Sequence, residues 1–209
     1  MPTSRHSIEG RLGVIEPALA LVELSSIAAG MQAADAMVKR APIEVIRAGT
    51  VHNGKFLVLI GGQVADVQES LATGREVGGD AVLDFVLLPQ VHPDVVEAIR
   101  GARTPAATDA FGVVETTTVA AAIHAADAGI KGAEVRLVEV RLADGLGGKG
   151  IVLFSGLVAD VEAAVRIGVG VLERRDLLVG QVVIPRLHPG VWENVGETTR
   201  FGPRVMGGR

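Results

Sequence analysis

One long stretch of this sequence occurs twice. The segment VELSSIAAGMQAADAMVKRA, which starts at Val22, recurs as VETTTVAAAIHAADAGIKGA from Val114. Matched residues such as Glu23 and Glu115 lie 92 positions apart (115 − 23). A repeat of this length means that whatever fold one copy adopts, the other copy adopts too.

The match continues beyond the first block. GKFLVLIGGQVADV from Gly54 matches GKGIVLFSGLVADV from Gly148 at an interval of 94, and the His-Pro pairs at His92 and His188 lie 96 apart. Small insertions between matched blocks are what duplicated domains with variable loops produce. The chain is therefore predicted to contain two tandem copies of one domain.

Each copy has the same order of predicted elements. A short apolar run predicts a strand, and the alanine-rich segment after it carries apolar residues at helical spacing, as Ile27, Met31 and Val38 show. Two strands joined by a glycine-bearing turn follow, then a second helix, a last strand, and a His-Pro pair that opens a short helix. The order β-α-β-β-α-β predicts two ferredoxin-like split βαβ domains, each an antiparallel sheet with helices on one face, of the α/β (α+β) class.

The repeat boundaries divide the chain into five predicted parts. Residues 1–18 are expected to form a flexible extension, 19–100 the first domain, 101–109 a linker of small and turn-forming residues, 110–196 the second domain, and 197–209 a flexible tail.

Composition excludes several classes of function. Hydrophobic residues make up 48% of the chain, a surplus that predicts buried subunit interfaces. A net charge of −4 and an aromatic content of 3% argue against nucleic-acid partners. The absence of cysteine excludes disulfides, thiolate chemistry and iron–sulfur clusters. No stretch resembles a signal peptide or a membrane span, so we expect a soluble cytoplasmic protein without membrane contact.

Two glycine patterns imitate nucleotide-binding motifs. Gly49 to Lys55 fits G-x-x-x-x-G-K, but Phe56 replaces the required Ser or Thr, and Gly145 to Gly150 fits G-x-G-x-x-G. Each pattern runs into a predicted strand, whereas a phosphate cradle requires a helix there. We interpret both patterns as turns between strands.

The histidines and carboxylates also favour structural roles. His92 and His188 precede proline at a predicted helix start, and His124 is expected on the surface. Asp35 and Asp127 are each expected on the polar side of a helix, paired with a lysine four residues later. With no Ser-His-Asp arrangement and no metal-ligand spacing, we predict no catalytic residues, no metal site and no cofactor.

Four motifs together carry a family resemblance. AADAMVKRAP, the glycine turn, G-x-V-A-D-V and VVIPRLHP occur in family order, the set being repeated along the chain, and resemble the shell-protein domain of bacterial microcompartments. Two such domains without circular permutation resemble the tandem class, whose trimers mimic hexamers. The resemblance implies a homotrimeric shell tile that meets hexameric and pentameric tiles, with enclosed enzymes as further candidate partners and a pore for small polar metabolites.

The resemblance also assigns roles to residues. The family's pore loop falls on His52, Asn53 and Gly54 in the first repeat and on Leu146, Gly147 and Gly148 in the second. One hypothesis is that His52 narrows or tunes the pore, and the alternative is an ordinary solvated loop histidine. Members of the class that hold an iron–sulfur cluster use cysteine, which this chain lacks.

The family's edge contacts between neighbouring tiles fall on Lys39 and Lys131, with Arg186 as the partner arginine. The first repeat carries Gln90 where the second has Arg186, so only half of the edges would have both members of the pair.

Two other classes of function remain open from the sequence. Tandem ferredoxin-like domains also occur as regulatory modules that bind a small ligand at a domain interface. Enzyme activity ranks third, because no polar constellation breaks the symmetry of the repeats.

Overall fold

The computed structural model describes residues 18–104, 109–195 and 199–201. The predicted N-terminal extension, apart from Ala18, and most of the predicted tail lie outside these residues. The first repeat contains β1 (Ala18–Leu24), α1 (Ile27–Arg40), β2 (Glu44–Val51), β3 (Lys55–Gly62), α2 (Val64–Gly78), β4 (Val82–Leu88) and α3 (Pro93–Ile99). The second contains β5 (Ala110–Thr116), α4 (Val119–Gly132), β6 (Arg136–Leu142), β7 (Gly150–Gly156), α5 (Val158–Gly170), β8 (Leu178–Pro185) and α6 (Pro189–Val195).

Each repeat forms one four-stranded antiparallel sheet. The strand orders are β2-β3-β1-β4 and β6-β7-β5-β8, so the first strand of each repeat lies in the sheet interior. This is the predicted split βαβ topology, and the prediction of two tandem ferredoxin-like domains is confirmed. The turns between β2 and β3 and between β6 and β7 emerge at one end of each sheet.

The two long helices of each repeat start at defined caps and pack on one face of the sheet. The side chains of Ser26 and Thr118 each accept a hydrogen bond from a backbone N–H three residues later, at 3.3 Å. In the first repeat, α1 comes so close to β3 that a Cβ at Gly30 would lie 2.5 Å from the Phe56 ring. In the second repeat the larger residue is on the helix instead, because Ala122 takes the place of Gly30 and faces Gly150 on the strand.

The short helix after each last strand begins at a His-Pro pair, as predicted. His92 Nδ1 accepts from the backbone N–H of Asp94 at 3.2 Å, and His188 Nδ1 accepts from that of Gly190 at 3.2 Å. Val95 of α3 packs in a core with Leu21, whose side chain faces away from α1 and α2. These short helices therefore lie on the opposite face of the sheet from the long ones.

Candidate functional site

The glycine motifs form turns between strands, as predicted. His52–Gly54 is a tight turn in which Asn53 and Gly54 have φ values of 71° and 69°. Residues 143–149 form a longer turn that leads into β7. Because a strand follows each turn, neither offers the row of helix N–H groups that binds phosphate in nucleotide sites.

The two predicted pore loops lie side by side within one chain. The backbone N–H of His52 donates to Asp144 Oδ1 at 3.0 Å, and His52 Nδ1 lies 3.1 Å from the same oxygen. The N–H of Gly145 approaches His52 Nδ1 at 3.3 Å. These bonds from His52 lower the pKa of Asp144 below its usual range. Gly148 is buried against the first loop, whereas His52 and Asn53 are exposed.

A buried ion pair connects the loops to the rest of the second repeat. Lys55 Nζ lies 2.6 Å from Glu23 Oε1 and also donates to the carbonyl oxygen of Gly148 at 2.9 Å. The other carboxylate oxygen of Glu23 accepts the N–H of Val119 at 2.7 Å, at the start of α4. Burial raises the pKa of Glu23, and Lys55 offsets part of that rise. A carboxylate of repeat one thus caps a helix of repeat two, where the helix dipole favours negative charge.

The equivalent pair in the second repeat is more exposed. Lys149 Nζ lies 2.7 Å from Glu115 Oε1, the same geometry as the first pair. The Glu115 side chain is 34% exposed, whereas that of Glu23 is 0% exposed. The difference arises because a helix N-terminus covers Glu23.

Asp127 of α4 makes a second set of contacts between the two repeats. Its Oδ1 accepts the backbone N–H of His92 at 2.8 Å, and its Oδ2 lies 2.6 Å from Lys131 Nζ, which also donates to the carbonyl oxygen of Gln90. The pairing with Lys131 is confirmed, but the expectation that Asp127 lies on a polar helix face is wrong, because α3 and β4 bury that face. The matching pair of Asp35 and Lys39 is exposed, as predicted.

His124 is not the surface residue that the sequence suggested. It is half-buried where α4 meets β4, in a cleft that Phe85 and Glu173 also line. This burial lowers its pKa, while the carboxylates of Asp127 and Glu173 act against that change.

The residues assigned to tile edges lie on the surface in different settings. Lys39 and Arg186 are exposed, and Arg186 has a positive φ of 52° directly after β8. Lys131 is exposed at the rim of the seam between the repeats, where it bonds within its own chain. The lattice role of these residues stays a prediction.

Sequence reasoning missed the roles of three residues of this site. Asp144 comes directly before the second glycine pattern, which drew attention to residues 145–150 instead. Glu23 and Lys55 recur as Glu115 and Lys149, which was a signal of a shared role. Their contact with α4 could not be predicted because it joins elements of different repeats.

Two negative findings apply to the described ranges alone. Within residues 18–104, 109–195 and 199–201, no three His, Asp or Glu side chains are grouped as metal ligands would be. None of the helices placed there has the length and apolarity needed to cross a bilayer.

Comparison with known proteins agrees with this architecture. The BMC domain model matches twice, over residues 18–91 and 110–187. The chain is 42% identical over 180 residues to the bacterial microcompartment shell protein PduT of Citrobacter freundii, which covers 86% of this chain and 98% of that protein. A crystal structure of a microcompartment protein from Desulfitobacterium hafniense superposes with a TM-score of 0.73 at 43% identity, covering 85% of this chain and 99% of the other.

A shorter relative matches one repeat. The carboxysome shell protein CsoS1C of Halothiobacillus neapolitanus is 45% identical over 87 residues, which cover 41% of this chain and 86% of that protein. Its length corresponds to a single domain. With its two matched domains in tandem and unpermuted element order, the chain belongs to the family of bacterial microcompartment shell proteins.

Proposed function

We propose that the protein is a structural tile of a microcompartment shell in the bacterial cytoplasm and acts as a barrier rather than as an enzyme. Three copies form a ring of six domains, which tiles with hexameric and pentameric shell proteins around enclosed enzymes. The loops at residues 52–54 and 144–148 surround a central pore that passes small polar metabolites.

The observation that carries this proposal is the unequal burial of two equivalent helices. Val119 and Ile123 of α4 are 0% exposed because β4 and α3 of the first repeat cover them. Their counterparts on α1, Ile27 and Met31, are 39% and 59% exposed. The same apolar face is thus covered in one repeat and open in the other.

The surface that would cover α1 is also open, at the other end of the chain. Val86 of β4 and Val95 of α3 are buried against the second repeat. Their counterparts on β8 and α6, Val182 and Val191, are among the exposed large hydrophobic residues. A second copy can therefore place its α1 where α4 lies in the first. Such a head-to-tail contact produces a ring when its rotation closes.

Charge complementarity supports the same contact. Glu115 and Lys149 repeat the Glu23 and Lys55 pair, but within the described ranges no helix N–H donates to Glu115. In the ring, Glu115 accepts the N–H groups of Ile27 and Ala28 from the next copy, as Glu23 accepts those of Val119 and Ala120 within one chain. Carboxylates at helix N-termini are stabilising.

The pore proposal is supported by the contact between the two loops. His52 and Asp144 are bonded across the intrachain seam, so a ring would alternate these two polar side chains around its axis. The exposed His52 is the side chain that would narrow or tune the pore. The exposed Lys39 and Arg186 would lie at the outer edges, in contact with neighbouring tiles.

Negative-stain electron microscopy and native mass spectrometry of the purified protein test the proposal. We expect flat six-sided particles with the mass of three chains, which associate into sheets. Met31→Asp places a charge on the open face of α1 and should give a folded monomer. Leu157→Asp is the matched control, because Leu157 is 64% exposed at the start of α5, away from both open faces. Monomers of the unmodified protein at every concentration would contradict the ring and favour the regulatory module.

A further inference from the structure

A cavity of about 590 Å³ lies between the two repeats on the face of the first sheet opposite α1 and α2. The end of α3 and the residues that follow it form one wall, and β2 and β6 form the others. Leu57 and Leu59 of β3 and Val140 of β6 contribute apolar surface. This volume is in the range of small-molecule sites, and part of the lining can hold an apolar or hydroxylated carbon skeleton.

Positive charge dominates the polar part of the lining. Its arginines are Arg47, Arg100, Arg103, Arg141 and Arg200, and its carboxylates are Glu139 and Asp144. Asp144 already accepts the hydrogen bond from His52, and Arg100 pairs with Glu97 at 2.7 Å. Among the described residues, Glu139 is the carboxylate that pairs with Arg103 and, through Thr199, with Arg141.

Arg103, which follows α3, and Arg141 of β6 are both held in place by neighbouring groups. Arg103 Nη2 donates to the carbonyl oxygen of Val195 at 2.5 Å and lies 3.5 Å from Glu139 Oε2. Arg141 Nη1 donates to Thr199 Oγ1 at 2.8 Å, and Thr199 donates to Glu139 Oε2 at 3.1 Å. Fixed guanidinium groups bind phosphate oxygens with little further loss of side-chain entropy.

Arg141 has hydrogen-bonding capacity to spare. Its Nε is buried and has no hydrogen-bond partner among the described residues. Burial lowers the pKa of Arg141, Glu139 acts against that change, and the positive charges of Arg200 and Arg103 add to it. An anion in the cavity would supply both a hydrogen-bond acceptor and a compensating charge.

This cavity is not a by-product of the duplicated architecture. The counterpart of Arg141 in the first repeat is Gly49, and the counterpart of Glu139 is Arg47. Both positions thus changed charge between the repeats, and both line the same cavity. The pair formed by Arg141 and Glu139 therefore has no equivalent at the matching positions of the first repeat.

We propose that the cavity between β2, β6 and the end of α3 binds a small phosphate-bearing anion, with Arg141 and Arg103 as its principal ligands. The carbon skeleton of a phosphate ester lies against Leu57 and Leu59. The two principal ligands lie where α3 and β6 meet within one chain, so binding can be measured on the unassembled protein as well as on the ring.

Isothermal titration calorimetry of the full chain with inorganic phosphate and with glycerol 3-phosphate, at constant ionic strength, tests this site. We expect saturable binding of one anion per chain. Tighter binding of glycerol 3-phosphate identifies an organic phosphate as the occupant, whereas equal or tighter binding of inorganic phosphate identifies the free ion.

Three variants distinguish a built site from general attraction to a basic surface. Arg141→Gln should weaken binding about tenfold or more, because a charge-assisted contact is lost. Glu139→Gln should tighten binding by about threefold to tenfold, because the competing charge is removed while the amide oxygen can still accept from Arg103 and Thr199. Arg166→Gln, on the exposed surface of α5, is the charge-matched control and should leave binding unchanged.

If Arg141→Gln perturbs folding, Arg47→Gln at the exposed strand β2 takes its place, with a smaller expected loss. Absence of saturable binding overturns the proposal. Equal losses for Arg141→Gln and Arg166→Gln, or weaker binding in Glu139→Gln, overturn it as well.

Discussion

Helices α1 and α4 have matching sequences but different surroundings. Both begin at a hydroxyl cap, and both carry an Asp–Lys pair four residues apart. Nevertheless Ile123 is completely buried while its counterpart Met31 is mostly exposed. The contact that covers α4 within one chain is therefore a model for the contact that α1 can make with a second copy.

The largest expected effect comes from placing one charge on each of the two equivalent helices. Ile123→Asp buries a carboxylate without a partner and should lower the free energy of unfolding by more than about 4 kcal/mol. The same change at Met31 should leave the chain stable and abolish assembly. Chemical denaturation of both variants, with sedimentation velocity, measures the contrast. Equal loss of stability in the two would mean that α1 is already covered in the monomer.

The second largest effect is expected on assembly, from a change in the exposed ion pair of Glu115 and Lys149. Glu115→Gln removes the charge proposed to cap α1 of the next copy and should weaken assembly by about tenfold to a hundredfold. Glu69→Gln, an exposed acid on α2 that pairs with Arg40, is the control and should assemble normally. Concentration-dependent native mass spectrometry measures the change. Unaltered assembly of the Glu115 variant would remove this residue from the contact.

A smaller effect tests the inverted packing of the two cores. Gly30→Ala would place a Cβ 2.5 Å from the Phe56 ring, whereas Ala122 occupies the same position of the second repeat. Overpacking should lower stability by about 1–3 kcal/mol, which exceeds the gain of about 1 kcal/mol in helix propensity.

Gly49→Ala is the control for this substitution, because no atom lies within 4 Å of the added Cβ. Thermal unfolding of the two variants compares them. A Gly30→Ala protein as stable as the unmodified chain would show that α1 can move away from β3.

The smallest effect is a pH dependence. The pKa of His124 is lowered by burial, so between its ordinary value of 6.5 and the lower folded value the unfolded chain binds more protons. Stability from this residue is therefore complete above pH 6.5 and is lost as the pH falls through the folded pKa. His124→Gln, which installs the residue found at position 32, should reduce the fall in melting temperature between pH 6.5 and 5 by less than about 4 °C. An identical pH profile in both proteins would exclude this role.

Much of the fold could be predicted because it depends on local sequence. The strand and helix patterns, the His-Pro caps and the turn at His52–Gly54 are each set by residues close together in the chain. The predicted topology was confirmed because the same order of locally specified strands and helices occurs in both repeats. Asp127 and His124 were placed wrongly because the surface that buries them comes from the first repeat.

In the candidate site, too, local features could be predicted and contacts between distant segments could not. The positions of both glycine turns followed from the sequence, but the bond from His52 to Asp144 did not, because it joins two loops 92 residues apart. The arginine-lined cavity could not be predicted either. It combines residues of β2, β6 and the end of α3 that no local pattern connects.

By itself, the sequence determined that the chain consists of two split βαβ domains, because hydrophobic periodicity and turn residues act over short distances. Tertiary structure alone decided which copy of each repeated surface is buried. Residue type specifies that a face is apolar, but only its neighbour in space removes that face from water. Val119 and Ile27 have this chemistry in common, and the presence of β4 and α3 beside one of them makes the difference.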